Sequence, residues 1–235
     1  MCGRYYRRSD KQHIAEAFRL GKLPEGLVLP AWDYNVAPTT IQPVIREQRE
    51  TGERELVMMR WGLIPFFAKS LKEFPFTTFN AKAEGLTKSP VYRTPFERRR
   101  CLVPANGFYE WKKIDTKNKQ PYRFDLANGQ PFAFAGLWDA WKEPKQSPQH
   151  VDTWLQSFTI ITTEPNELTA SVHNRMPVIL RPSDYDRWLS REESDPAHLP
   201  SDLLRPFPAE EMEAHQAHKD VGNVRNNHAE LLNSV

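Results

Sequence analysis

The chain opens Met1-Cys2-Gly3-Arg4, and these residues offer a distinctive chemistry. The small side chain of Cys2 permits removal of Met1, after which the chain begins with an α-amine and a thiol on adjacent carbons. Such a 1,2-aminothiol turns an aldehyde into an imine and then, by thiol addition, into a five-membered thiazolidine. That ring resists hydrolysis far better than the imine. An unperturbed α-amine titrates at about 7.7–8.0 and a thiol near about 8.5, so both are partly nucleophilic at neutral pH. The competing reading is an ordinary frayed chain start.

Other residues pair a chemical reading with a structural one. Glu110 lies among aromatics in Asn106-Gly107-Phe108-Tyr109-Glu110-Trp111-Lys112-Lys113. It is either a general acid with a pKa raised by burial or an exposed carboxylate at a sheet edge. His173 is a proton carrier or a hydrogen-bonded structural residue. Asn80 orients a substrate or caps a following helix. Arg4, Lys82 and Arg175 hold phosphates or are solvated charges. The segment Trp61-Gly62-Leu63-Ile64-Pro65-Phe66-Phe67 is a core plug or a stacking platform for bases. The sequence has no metal-ligand spacing, nucleophile elbow or phosphate-cradling glycine loop, and no cofactor is implied.

The elements that must position these residues are mostly strands. Alternation predicts strands at Cys2 to Tyr6, Ile41 to Arg46, Glu55 to Trp61, Asn106 to Lys113, Tyr122 to Leu126, Pro131 to Trp138, Ser157 to Thr162, Val178 to Leu180 and Glu211 to His218. The second and third are expected to pair as a hairpin around Thr51-Gly52. Phe108, Glu110 and Lys112 should share one face of their strand. Helices are expected at Ser9 to Leu20, with a Ser9/Gln12 capping box, at Pro90 to Arg100, and from Ser183. Residues 21 to 40, including Tyr34-Asn35-Val36-Ala37-Pro38-Thr39, read as loop. Asn80 to Glu84 reads as a helix entry, and Lys142 to Asp152 as a polar insertion. With no repeat or long linker, residues 1–235 read as a single α+β domain. It is mostly β, with a mixed, strongly curved sheet or barrel-like core and peripheral helices.

Composition narrows the function. The 235 residues are 39% hydrophobic and 26% charged, a globular balance. No apolar run reaches the roughly 18 residues of a membrane span, and the start is too polar for a secretory signal. Two cysteines provide neither a disulfide framework nor a four-ligand zinc site. These features predict a soluble, intracellular protein in a reducing compartment; the chain is expected to be monomeric and cytoplasmic, nucleoid-associated if its source is bacterial. Residues 1–120 hold 22 basic against 13 acidic side chains, a balance of +9, and residues 121–235 hold 10 against 17, a balance of −7. A basic half suits an anionic partner such as nucleic acid, although scattered surface charge could produce the same balance.

Several motifs occur together and in order. They are Met1-Cys2-Gly3-Arg4, Tyr34-Asn35-Val36-Ala37-Pro38, Arg60-Trp61-Gly62-Leu63-Ile64-Pro65, Asn80-Ala81-Lys82-Ala83-Glu84, Gly107-Phe108-Tyr109-Glu110-Trp111, His173-Asn174-Arg175-Met176-Pro177 and Val221-Gly222-Asn223-Val224. Across essentially the whole chain this combination resembles the SOS response-associated peptidase (SRAP) family. The resemblance implies a protein that binds single-stranded DNA at abasic sites and links to them through its N-terminal cysteine. The peptidase label reflects removal of the leading methionine or a propeptide. Cys2 would supply amine and thiol, Glu110 the acid/base for opening the sugar ring, and His173 proton transfer. Asn80 would hold the Cys2 backbone or the opened sugar. Arg4, Lys82 and Arg175 would clamp phosphates, with Pro38 and Trp61 stacking on or wedging between bases. One departure is Lys82, where the family usually has Arg, so the bidentate fork is lost there. Two alternatives stay open: a thiol peptidase or hydrolase using Cys2 with His173, and a non-covalent reader of modified single-stranded DNA. A lyase-type strand cleavage could also accompany ring closure.

Overall fold

Two sheets sharing one apolar layer position the chain's start. The computed structural model describes residues 2–21, 23, 26–29, 32–71, 78–142, 154–191, 198–233 and 235. Five strands close into a barrel: β3 (Ile41–Glu47), β4 (Arg54–Trp61), β6 (Arg100–Ala105), β9 (Phe132–Lys142) and β10 (Trp154–Thr163). The ring runs β10-β4-β3-β6-β9, and the β9–β10 pairing closes it. All contacts are antiparallel except β4–β10. A second, antiparallel sheet has the order β13-β8-β7-β1-β2. It contains β1 (Arg4–Arg7), β2 (Asp33–Val36), β7 (Gly107–Lys113), β8 (Lys119–Leu126) and β13 (Met212–Gln216). Short strands β5 (Asn80–Lys82), β11 (Met176–Pro177) and β12 (Ile179–Leu180) extend the barrel sheet. The expected mostly β fold with a barrel-like core and small helices is therefore the fold observed.

Strand β9 shows why this sequence closes a barrel. Phe132 and Phe134 fall on one face and Ala133, Ala135 and Leu137 on the other, and all five are buried. Burial on both faces is what a strand between two packed layers requires. A Cβ at Gly136 would lie 2.9 Å from both Cys101 Sγ and Val103 Cγ2, so a larger residue does not fit there. One layer joins Val44, Trp61, Val103, Phe134 and Phe158 of the barrel to Cys2, Tyr5 and Phe108 of the second sheet. The other packs Leu56, Leu102 and Ala135 beneath α1 (Lys11–Ala17), α2 (Arg93–Arg98) and α4 (Tyr185–Leu189).

Trp61 is the hub of the shared layer. It is fully buried, stacks on Phe158 at 6.3 Å and meets Tyr5 edge-on at 5.2 Å. Its indole N–H donates to Phe79 O at 2.9 Å. Trp61→Ala should cost about 3–5 kcal/mol, read as a lower urea midpoint at unchanged slope.

Several local expectations are corrected by tertiary contacts. Asp33–Val36, read as loop, pairs with β1 as an edge strand because Asn35 Nδ2 donates to the carbonyls of Val221, Asn223 and Asn226. Asn80–Lys82, read as a helix entry, is a strand held parallel to β10, and a 3-10 turn over Ala83–Gly85 follows. The first helix is capped by Asp10, whose side chain accepts the His13 N–H. Ser9 donates instead to Asn106 Oδ1 at 3.1 Å. The second is shorter than expected because Arg100 enters β6, and the helix from Ser183 starts as a 3-10 turn over Pro182–Asp184. Met1 and residues 143–152 of the polar insertion lie outside the described residues. Among the described residues no helix is long and apolar enough to cross a membrane.

Candidate functional site

Strands β1 and β7 bring the chain's start to Glu110. Arg4 pairs with Tyr109 and Tyr5 with Phe108, so continuing the register sets Gly3 opposite Glu110, with Cys2 one residue beyond. Alternation along β7 puts Glu110 on the face of Phe108, toward the shared apolar layer. Cys2 is fully buried in that layer. Burial first, and then the negative charge of Glu110, push its thiol well above the ordinary range. The Glu110 carboxyl is only 3% exposed, and burial raises it to about 7 against the opposing pull of the amino-terminal charge and the Trp111 N–H. At neutral pH it is thus poised between acid and base.

His173 follows the short helix α3 (Glu167–Ala170), which Asn166 caps by accepting the Thr169 N–H at 2.8 Å. The His173 N–H closes onto Thr169 O at 2.9 Å. Its ring Nδ1 lies 3.1 Å from the Arg175 N and 3.3 Å from the Arg175 O, so the Arg175 backbone meets this nitrogen in either tautomer. Burial, then the amino-terminal charge, lower its pKa, so the neutral imidazole is the favoured form. The amino-terminal charge acts on Cys2, Glu110 and His173 alike. Asn80 joins from β5, where it pairs with Ile160 of the same apolar layer. Its Nδ2 donates to Phe79 O and Ile160 O at 3.1 and 3.3 Å. Among the described residues its buried Oδ1 has no hydrogen-bond partner, an acceptor available to a ligand donor.

The residues expected at DNA divide. Lys82, two residues beyond Asn80, is exposed, and Pro38 is half-buried at the mouth of a turn. In that turn Thr39 adopts a left-handed conformation (φ 76°) and donates to Trp61 O at 2.8 Å, strain of a kind that often sits at functional loops. Trp61 itself is buried and cannot stack on a base. The exposed rings of its loop are Phe66 (58%) and Phe67 (46%), edge to face at 5.4 Å, so the segment is plug at one end and platform at the other. Arg4 points to the face of β1 opposite Tyr5 and donates to Asn35 Oδ1 (3.2 Å) and Val221 O (2.9 Å). Rather than standing free for a phosphate, it ties two polar motifs together. Arg175 is engaged as well. Its guanidinium forks onto both oxygens of Glu84 and donates to Thr162 O at 2.6 Å, and this pairing lowers Glu84 to about 2. A phosphate would have to displace Glu84, whereas the Arg175 backbone already orients His173.

A sequence profile of the SOS response associated peptidase (SRAP) family matches residues 1–224. The chain belongs to that family. The abasic site processing proteins YoqW and YoaM of Bacillus subtilis (strain 168) are 42% and 40% identical to it over 235 residues, spanning all of this chain and 100% and 98% of theirs. A protein of solved structure from Bacteroides thetaiotaomicron, 28% identical, superposes with a TM-score of 0.80 over 93% of each chain.

Within this SRAP chain the arrangement combines a buried thiol, a carboxyl that titrates near neutrality, a neutral imidazole N–H donor and an unsatisfied amide acceptor. That set suits proton transfers to and from oxygen and nitrogen atoms at a carbonyl centre. Sequence reasoning missed Glu84, Phe66 and Phe67 as individuals. The i+2 spacing of Glu84 from Lys82 carries no sign that it meets Arg175, and the aromatic loop does not reveal which rings are outside.

Proposed function

We propose that this SRAP chain processes abasic sites in DNA by capturing the open sugar on Cys2. An abasic deoxyribose is mostly a closed hemiacetal. Glu110 in its protonated form donates to the ring oxygen as the C1′–O4′ bond breaks, the C1′ hydroxyl gives its proton to solvent, and C1′ becomes an aldehyde. The Cys2 amine, free once Met1 is removed, attacks C1′, and loss of one water leaves an imine. A ring N–H of His173 steadies the departing oxygen, and Asn80 Oδ1 accepts from a hydroxyl of the opened sugar or from the Cys2 N–H. The thiol then adds across the C=N bond. Sulfur bonds to C1′, its proton ends on nitrogen, and the thiazolidine closes. The strand is single where it binds, its bases resting on Phe66 and Phe67 and its phosphates near Lys82.

The observation that carries this reading is the buried Cys2 beside a carboxyl titrating at about 7. It also weighs against a thiol hydrolase, which needs a thiolate stabilised by its surroundings. Here burial and Glu110 both keep the thiol protonated. The test is the intact mass after incubation with a single-stranded oligonucleotide containing one abasic site. The expected species is the protein lacking Met1 plus the oligonucleotide minus one water, formed without a reducing agent and absent with undamaged DNA. Only unlinked masses would refute the reading.

A further inference from the structure

The turn between β7 and β8 carries Lys112, Lys113, Lys117 and Lys119, which the capture chemistry leaves unused. β7 is the strand that presents Glu110, so this hairpin is a direct extension of the reactive strand. Its ladder continues to the tip, with Lys112 opposite Gln120 and Lys113 opposite Lys119. The acid nearest the tip is consumed internally. Asp115 accepts the backbone N–H groups of Lys117 (2.7 Å) and Asn118 (2.8 Å), and its other oxygen accepts from Asn118 Nδ2 at 2.8 Å. Among the described residues none of the four lysines has a carboxylate partner.

Two features give this charge a direction. Lys113 and Lys119 face each other across the ladder, a like-charge pair that weakens a hairpin unless an anion lies over it. Lys112 shares the face of Glu110, and the Lys119 charge is felt at His173. Lys113 and Lys119 lie on the opposite face, so the basic hairpin runs outward from the strand that carries Glu110 with charge on both of its faces.

We propose that the β7–β8 hairpin is a phosphate-binding arm that grips the single-stranded backbone flanking the lesion and feeds it toward Cys2. The assignment rests on the reading of the site as one that receives DNA. The lysines act as point charges on successive phosphates and read no base, as a lesion at any sequence requires. The exposed Ile114 (61%) lies between them at the tip, within reach of an unstacked base.

The test is the salt dependence of binding to an undamaged, fluorescently labelled single strand, which needs no covalent step. Replacing all four lysines by Gln should weaken binding about tenfold and flatten the slope of log Kd against log salt by about 0.7 per lost contact. The quadruple Arg variant should restore the slope. Lys117→Glu alone, at the exposed turn, should weaken binding in the same direction and guards against misfolding of the multiple variant. Equal slopes for the wild-type and Gln proteins would overturn the arm. The two readings fail separately. An abasic adduct with equal slopes sinks only the hairpin, and a slope difference with no adduct sinks only the capture chemistry.

Discussion

Cys2→Ala forms no adduct with abasic DNA that survives denaturation. Alanine is also small enough for Met1 to be removed, so the variant keeps an α-amine at the same place and loses only the sulfur. The amine still condenses with the C1′ aldehyde, but the product stops at the imine, which water reverses. Borohydride should therefore trap a variant adduct that is invisible without it, whereas the wild-type adduct needs no trapping. The expected contrast in untrapped adduct is at least about 100-fold, the scale of losing the covalent step of a nucleophilic mechanism. A stable, untrapped adduct on Cys2→Ala would show that sulfur is not part of the linkage. Because the Cys2 side chain fills buried space, the variant should also lose about 1 kcal/mol of stability, too little to unfold it.

Glu110→Gln has the second large effect, and its two parts have opposite signs. The crosslinking rate should fall about 100-fold or more, as expected on removing a general acid, while binding to undamaged DNA is retained. The wild-type rate should decline above pH 7 as Glu110 loses its proton, although the amine, titrating at about 7.7–8.0, becomes more nucleophilic. Without Glu110 that decline disappears and the residual rate follows the amine alone. Stability moves the other way. The folded carboxyl titrates at about 7 against an ordinary value of 4.5, so its contribution is complete below the ordinary value and is lost as pH rises through 7. The loss is on the order of 3 kcal/mol. Gln has no proton to lose, so the variant should unfold at higher urea than wild type near about pH 8.5, with the gap closing below about pH 5. Equal loss of binding and rate, or a variant less stable at high pH, would make Glu110 a structural residue.

The same burial thus serves reactivity and costs stability. Glu110 is held in an apolar layer where its charge is unfavourable, and the thiol of Cys2 is suppressed beside it. Burial favours the protonated, uncharged form of both groups. Asn80 Oδ1 is another buried polar atom in this layer, with no hydrogen-bond partner among the described residues.

Much of the fold was legible because alternation is a local property. The hairpin Ile41–Glu47 with Arg54–Trp61, the strand Gly107–Lys113 and the long strand β9 follow directly from their apolar spacing. Asp33–Val36 and Asn80–Lys82 were not legible because their own residues favour turns and caps. They become strands only through partners distant in the chain, β1 and the 221–226 carbonyls for one and β10 for the other. Trp61 was misjudged for a related reason, since an aromatic loop reads the same whether its rings point in or out.

By itself the sequence determined the chemistry that is possible: an aminothiol at the chain's start, a carboxyl set among aromatics, and a histidine and an asparagine in recognisable motifs. These are properties of residue type and order. The tertiary structure alone decided which groups can act together and in what state. It buried Cys2 against Glu110 and shifted both titrations by desolvation. It committed Arg4 to Asn35 and Arg175 to Glu84, and it turned Trp61 inward while leaving Phe66 and Phe67 outside. Desolvation and ion pairing depend on what lies across space, and neighbours along the chain carry no record of it.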